Sequence, residues 1–251
     1  MPVSELAGST AVVTGAGRGF GRGVAAELIR AGARVLGLAR DREALEKARA
    51  DLGDAFVPVP GDATDPGLAA DLLARHAPRT VVLAAGATPA MLPLQDHTWE
   101  TFSAAWDTDV RHVFGWSRAA LRQPLPPGST VVAFSSGAAL RGSPLSGGYA
   151  GAKAAVRFVA AYADGQSRRH GLGIRFTALL PSLAPTTDLG VGAAAAYAAY
   201  EGITTEAFVD RMGPLLTPQA AGAAVLELAR GQRTDALAYG LSADGLTPLA
   251  D

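Results

Sequence analysis

Tyr149-Ala150-Gly151-Ala152-Lys153 sets a phenol and an ammonium four residues apart. On a helix that spacing puts both on one face. A fixed cation beside a phenol favours phenolate, so the pair can donate or accept a proton at a working pH. Only two lysines occur, Lys47 and Lys153, beside five tyrosines, in a chain whose other cationic side chains are arginines. A surface helix pair would draw on arginine, so the isolated lysine points to chemistry. Ser136, in Phe134-Ser135-Ser136-Gly137, stands thirteen positions before Tyr149. Its hydroxyl can donate a hydrogen bond to a substrate oxygen on which charge develops. A strand-end serine that merely ties down a turn is the plainer alternative, and Ser135 is the neighbour most easily confused with it.

A second constellation is the run Thr14-Gly15-Ala16-Gly17-Arg18-Gly19-Phe20-Gly21, read between a strand and a helix. Glycines serve there because the turn is tight, the backbone must approach a phosphate closely, and the helix N-terminus presents free N–H groups to an anion. The general fingerprint G-x-G-x-x-G is not met in any frame, since the last glycine falls on Phe20 or Arg22; the pattern present is T-G-x-x-x-G-x-G.

These residues need elements to hold them, and the hydrophobic periodicity supplies an alternating set. Strands are expected at 11–14, 35–39, 56–59, 80–84, 130–135, 174–179 and 236–241, with helices at 22–31, 42–52, 65–76, 99–121, 149–170 and 218–230. Such alternation predicts an α/β fold, a doubly wound parallel sheet of about seven strands with helices on both faces. No linker divides residues 1–251, so one domain is expected. After Pro181 the texture turns to Pro, Thr, Gly and Ala, which reads as a substrate lid at about residues 183–215.

Together the motifs resemble the short-chain dehydrogenase/reductase family, in its ketoreductase-like branch, over about residues 9–187. The resemblance implies a Rossmann-type domain and hydride transfer between a nicotinamide cofactor and a carbonyl or alcohol. It places Tyr149 as proton donor or acceptor, Lys153 beside it, and Ser136 on the carbonyl. The implied cofactor-binding set is Gly15, Arg18, Gly19, Phe20, Gly21, Arg40, Asp62, Ala63, Ala85, Gly86, Tyr149, Lys153, Pro181, Leu183 and Thr186. Within it, Asp62 matches an acid that contacts adenine, Ala84-Ala85-Gly86 an N-A-G turn, and Pro181-Ser182-Leu183 with Thr186 a P-G-x-x-x-T stretch over the nicotinamide. Arg40 falls where the ribose is read, with Arg18 as a second cation, so NADP is expected over NAD; two guanidiniums suit a 2′-phosphate. The plainer reading has Asp41 capping the next helix and Arg40 solvated.

There are departures. Ala84 replaces asparagine and loses a turn-stabilising hydrogen bond, and Ser182 replaces glycine. Aligning Phe102 to Phe114 puts Asp109 where the family has an asparagine. An aspartate keeps an acceptor but adds a charge, which should raise the lysine pKa if the two are close. A nucleotide sensor or scaffold without turnover is the rival reading, yet it has no need of Ser136, Tyr149 and Lys153 together. A sugar-nucleotide epimerase wants T-G-x-x-G-x-x-G and a longer chain.

Bulk properties exclude other classes. Net charge is −1 without a basic block, so nucleic acid is not an expected partner, and no cysteine is present for disulfides or thiolate chemistry. Met1 to Ser9 shows no signal-peptide pattern and no apolar stretch spans a bilayer, so no membrane association and a cytoplasmic location are expected. His76, His97, His112 and His170 lack metal spacing and read as helix-surface or helix-end residues. Trp99, Trp106 and Trp116 read as core or subunit face, and relatives imply a homo-oligomer, dimer or tetramer. The Ala/Gly-rich lid with two tyrosines, and Met91, Leu92 and Leu94 near it, suit a small apolar carbonyl or alcohol substrate.

Overall fold

The computed structural model describes residues 6–250; the reading of the extreme N-terminus as free of a leader falls partly on 1–5, outside the described residues. Strands β1 (Thr10–Thr14), β2 (Arg34–Ala39), β3 (Phe56–Pro60), β4 (Thr80–Leu83), β5 (Thr130–Phe134), β6 (Arg175–Pro181), β7 (Ala238–Ser242) and β8 (Gly245–Leu249) form one sheet. Their order is β3-β2-β1-β4-β5-β6-β7-β8. Every neighbouring pair is parallel except β7 with β8.

Central strands read as continuous apolar runs because helices cover both their faces: every residue of β4 and β5 is buried. Prolines mark the edges. Pro58 and Pro60 lie in β3 and Pro248 in β8, the two outermost strands, where a missing N–H breaks no ladder. The eighth strand is the one addition to the seven expected from sequence; it is a short antiparallel return after Ser242, and its Pro248 obscures the strand pattern.

Helices α1 (Gly19–Arg30), α2 (Arg42–Leu52), α3 (Pro66–His76), α4 (Trp99–Ala105), α5 (Arg111–Arg122), α6 (Ala138–Arg141), α7 (Gly147–Arg169), α8 (Asp188–Glu201), α9 (Thr205–Asp210) and α10 (Pro218–Ala229) complete the fold. Many of their starts are written in the sequence. Asp41 accepts from the Ala44 N–H at 3.0 Å, and Asp65 caps α3 ahead of Pro66 at the position where a missing N–H costs nothing. Thr187, Thr204 and Thr217 cap α8, α9 and α10. One apolar core, with Val24, Leu28 and Val225, lies between the sheet and α1, α2 and α10. The other, with Leu72, Trp116 and Val156, lies under α3, α5 and α7.

The expected helix over 99–121 is interrupted. Trp106–Val110 forms a π-helical turn between α4 and α5. Such a turn holds one extra residue and turns a side chain off the regular helical track. The side chain concerned is Asp109, buried at the sheet. The segment read as a lid is a helical pair, α8 and α9, with its own small cluster of Ala194, Ala198 and Phe208.

Candidate active site

The strand order reverses direction between β1 and β4, and in open parallel sheets the crevice beyond the strand ends at that point is where ligands bind. A cleft of about 1080 Å³ opens there. One side of it is built by the glycine run. Gly15 adopts φ +69°, and a Cβ at Gly21 would lie 2.3 Å from the Gly15 carbonyl oxygen, so neither position accepts a side chain. The turn therefore runs close to the cleft with the α1 N-terminus beside it, an arrangement that suits an anion.

Thr14 closes the floor, a role the sequence reading missed. Its hydroxyl accepts from the N–H groups of Ala84 and Ala85 at 3.0 and 3.1 Å and donates to the Val82 carbonyl at 3.3 Å. The turn after β4 is thus held from β1, which offsets the asparagine absent at position 84. Asp62 lines the same cleft with one carboxylate oxygen taken by the N–H and hydroxyl of Thr64. Those two bonds, with Arg40 and Arg111 adding to them, hold its carboxyl below the usual range. Trp116 anchors the adjacent backbone by donating its indole N–H to the Ala63 carbonyl at 2.9 Å. Arg40 is exposed at the rim. Arg18, also at the rim, pairs with Asp188 of α8 at 2.9 Å.

At the other side, α7 carries Tyr149 and Lys153 into the cleft together. The Lys153 ammonium stands 5.4 Å from the Tyr149 ring centre. It donates to the Phe134 carbonyl at 2.9 Å and pairs with Asp109 at 2.8 Å, with side chains only 8% and 1% exposed. Burial opposes the charge on Lys153, but Asp109 and Tyr149 outweigh it and hold the ammonium above the usual lysine value. Asp109 also accepts from the Ala87 N–H at 2.8 Å and packs against Gly86, so one carboxylate ties the lysine to the turn after β4. The two serines divide: Ser135 is buried and donates to the Lys153 carbonyl at 2.7 Å, whereas Ser136 is half-buried and lines the cleft.

Of the catalytic and cofactor-binding residues expected from sequence, all but one line this cleft. The exception is Thr186, whose hydroxyl donates to the Leu216 carbonyl at 2.6 Å and fastens the segment before α10. Thr187 lines the cleft in its place, because capping α8 turns it inward. Met91 borders the cleft, but Leu92 and Leu94 do not. The helix-surface reading of His112 is corrected: it is fully buried on α5, and burial first, then Lys153, pushes it down to about 3, so it stays neutral. Among the described residues no cluster of His, Asp or Glu could hold a metal, and no helix is long and apolar enough to cross a membrane.

The model of the short chain dehydrogenase family matches residues 9–196. This chain belongs to that family. It is an NAD(P)-dependent oxidoreductase acting between carbonyl and alcohol. An uncharacterised short-chain type dehydrogenase/reductase of Sinorhizobium fredii is 34% identical over 177 residues, covering 70% of each chain. Serine 3-dehydrogenase of Rhizobium radiobacter is 33% identical over 194 residues, covering 70% of this chain and 72% of its own. Among solved structures, the 3-ketoacyl-(acyl-carrier-protein) reductase of Brucella melitensis, complexed with NADH, superposes with a TM-score of 0.78 over 95% of this chain and 98% of its own, at 24% identity. That similarity concerns the fold.

Proposed function

We propose that this dehydrogenase is an NADP-dependent reductase of small, largely apolar ketones or aldehydes, able to run in reverse on the alcohol. The observation that carries the reading is one cleft holding the glycine cradle with Arg18 and Arg40 at one end and Ser136, Tyr149 and Lys153 at the other. The cradle, the α1 N-terminus and the two guanidiniums suit a dinucleotide with a 2′-phosphate. Bound reduced cofactor supplies the hydride. Ser136 donates a hydrogen bond to the carbonyl oxygen, and Tyr149 passes its phenolic proton to that oxygen as negative charge builds. Lys153 is held immobile by Phe134 and Asp109, so its charge faces the phenol at a fixed distance. Asp109 acts through Lys153 and is a positioning residue.

Apolar walls from Met91, Leu140, Leu183 and Ala193 border the catalytic end, and α8 covers them as a lid. An exposed aromatic face on α4, α5 and α7 fits assembly of like subunits, a dimer or tetramer, in the cytoplasm. Titration with NADPH and NADH, then a ketone panel followed by absorbance of the reduced cofactor, tests the reading. Ketone-dependent oxidation of NADPH that disappears in Tyr149→Phe is the expected result. Tight NADPH binding with no turnover of any carbonyl, or turnover that survives Tyr149→Phe, would overturn it.

A further inference from the structure

Three hydroxyls meet on the lid side of the cleft. Ser143 precedes α7, Ser146 stands at its N-cap position, and Tyr197 comes from α8. Ser143 Oγ accepts from the Ser146 hydroxyl at 2.7 Å and, on its other lone pair, from the Ser146 N–H at 3.0 Å with the Leu145 N–H sharing that site at 3.3 Å. A hydroxyl oxygen has two acceptor sites and one hydrogen. With its acceptor sites filled, Ser143 is left to donate, and the Tyr197 hydroxyl stands 2.5 Å away to receive. Tyr197 oxygen is therefore an acceptor in this cluster, and its own phenolic hydrogen is unspent. The one other oxygen in the group, Ser146 Oγ, lies at 3.5 Å, the outer limit for a bond.

The ring that carries this hydrogen is fixed. Tyr197 stacks on Phe208 of α9 at 6.0 Å between centroids with 14° between planes, and Phe208 is buried. Tyr197 and Ser146 both line the cleft that holds Tyr149, only three residues from Ser146. The same cleft is lined by Met91, Leu140, Leu183 and Ala193, none of which offers a side-chain hydrogen bond, and by the polar Ser136, Arg141 and Ser146. A few aimed polar groups among apolar side chains are how a pocket fixes the orientation of a ligand.

We infer that Tyr197, aimed by Ser143, is a specificity-determining donor, and that the substrate carries a second, uncharged oxygen acceptor besides the reacting carbonyl. The inference rests on the reductase reading and deepens it. Substrates lacking that oxygen leave the phenolic hydrogen facing apolar surface, and discrimination against them follows from the unmade bond.

Matched monoketones and diketones on the same monocyclic and fused bicyclic carbon skeletons test it, with NADPH, in the native protein, Tyr197→Phe and Ser143→Ala. The diketone-to-monoketone ratio of kcat/KM, corrected for two equivalent carbonyls, is expected to favour the diketone and to fall about two- to ten-fold in Tyr197→Phe, one neutral hydrogen bond's worth. The change should lie in KM, since the contact is made before and during reaction alike. Phenylalanine keeps the stack on Phe208, so the variant folds; Ser143→Ala keeps the phenol, removes what aims it, and gives a smaller fall. A ratio unchanged in Tyr197→Phe, or equal losses on both ketones as a mere lid latch would give, overturns the inference while leaving the reductase reading intact. Should neither ketone turn over, the reductase reading fails separately, and calorimetric binding of the same pair to the protein with NADPH reads the same ratio. A ratio there that Tyr197→Phe does not change, or binding of neither ketone, overturns the inference.

Discussion

At the scale of single residues, the buried pair of Asp109 and Lys153 governs both stability and pH response. Each charge is tolerated in a site with under a tenth of its side chain exposed because the other is 2.8 Å away. Removing only one partner strands the other, so Lys153→Met should cost about 3–5 kcal/mol of stability. Adding Asp109→Asn to that variant should recover much of the loss, as urea unfolding of the two variants will show. A double variant no more stable than Lys153→Met would mean that the pair is not what Asp109 balances. The pH response has a definite sign. Lys153 is held above its ordinary value of 10.5, so the pair's contribution is complete below that value and fades as pH climbs through the higher folded one. In Asp109→Asn the burial that opposes the charge remains while its main counterweight is gone. Lys153 then releases its proton at lower pH, and the alkaline limb of the kcat profile should move to lower pH. An alkaline limb that stays in place would detach Asp109 from the titration of the lysine.

At the scale of elements, what was legible in the sequence is what chemistry forces into short spacing. The glycine run and the Tyr149 to Lys153 step are local, and the structure puts the first in the turn between β1 and α1 and the second on α7, while Asp41 caps α2 as the plainer reading had it. What was hidden depends on partners far along the chain: Thr14 beneath Ala84 and Ala85, Trp116 on Ala63, and Tyr197 on Ser143. The π-helical turn that delivers Asp109 leaves no mark in hydrophobic periodicity, and Thr186 cannot be told from Thr187 without knowing which one caps α8. The lid helix shows the same limit and supports an expectation of its own. Arg18, read as a phosphate ligand, is paired with Asp188 in the first turn of α8 at 2.9 Å, with both side chains about three-quarters exposed. So exposed a pair contributes at most about 1 kcal/mol, and Asp188→Asn should barely alter folding. It should, however, free Arg18 for a 2′-phosphate, tightening NADPH about two- to five-fold at low ionic strength. NADH binding should not change, and the gain should vanish at high salt. Equal tightening of both cofactors in a fluorescence titration would show that Arg18 does not read the 2′-phosphate.

At the scale of the whole molecule, α4, α5 and α7 leave large aromatic side chains exposed. Trp99 on α4, Phe114 on α5, and Phe158 and Tyr162 on α7 are 73%, 56%, 70% and 61% exposed, and these helices pack side by side. Phe158 and Tyr162 stack on one another on α7. Large exposed aromatic side chains on neighbouring helices mark an interaction face, and a two-fold axis lets one patch cover its own copy. Because α7 also carries Tyr149 and Lys153, such an interface would stiffen the catalytic helix from its outer side and link assembly to activity. Phe158→Glu sets two carboxylates against each other across that axis and withdraws two rings. Sedimentation equilibrium should show the native protein as a dimer or tetramer and the variant as a smaller species, with a thermal midpoint that no longer rises with protein concentration. An unchanged mass in Phe158→Glu would move the subunit contact elsewhere, and a native monomer would leave these four aromatic side chains facing water and in need of another partner.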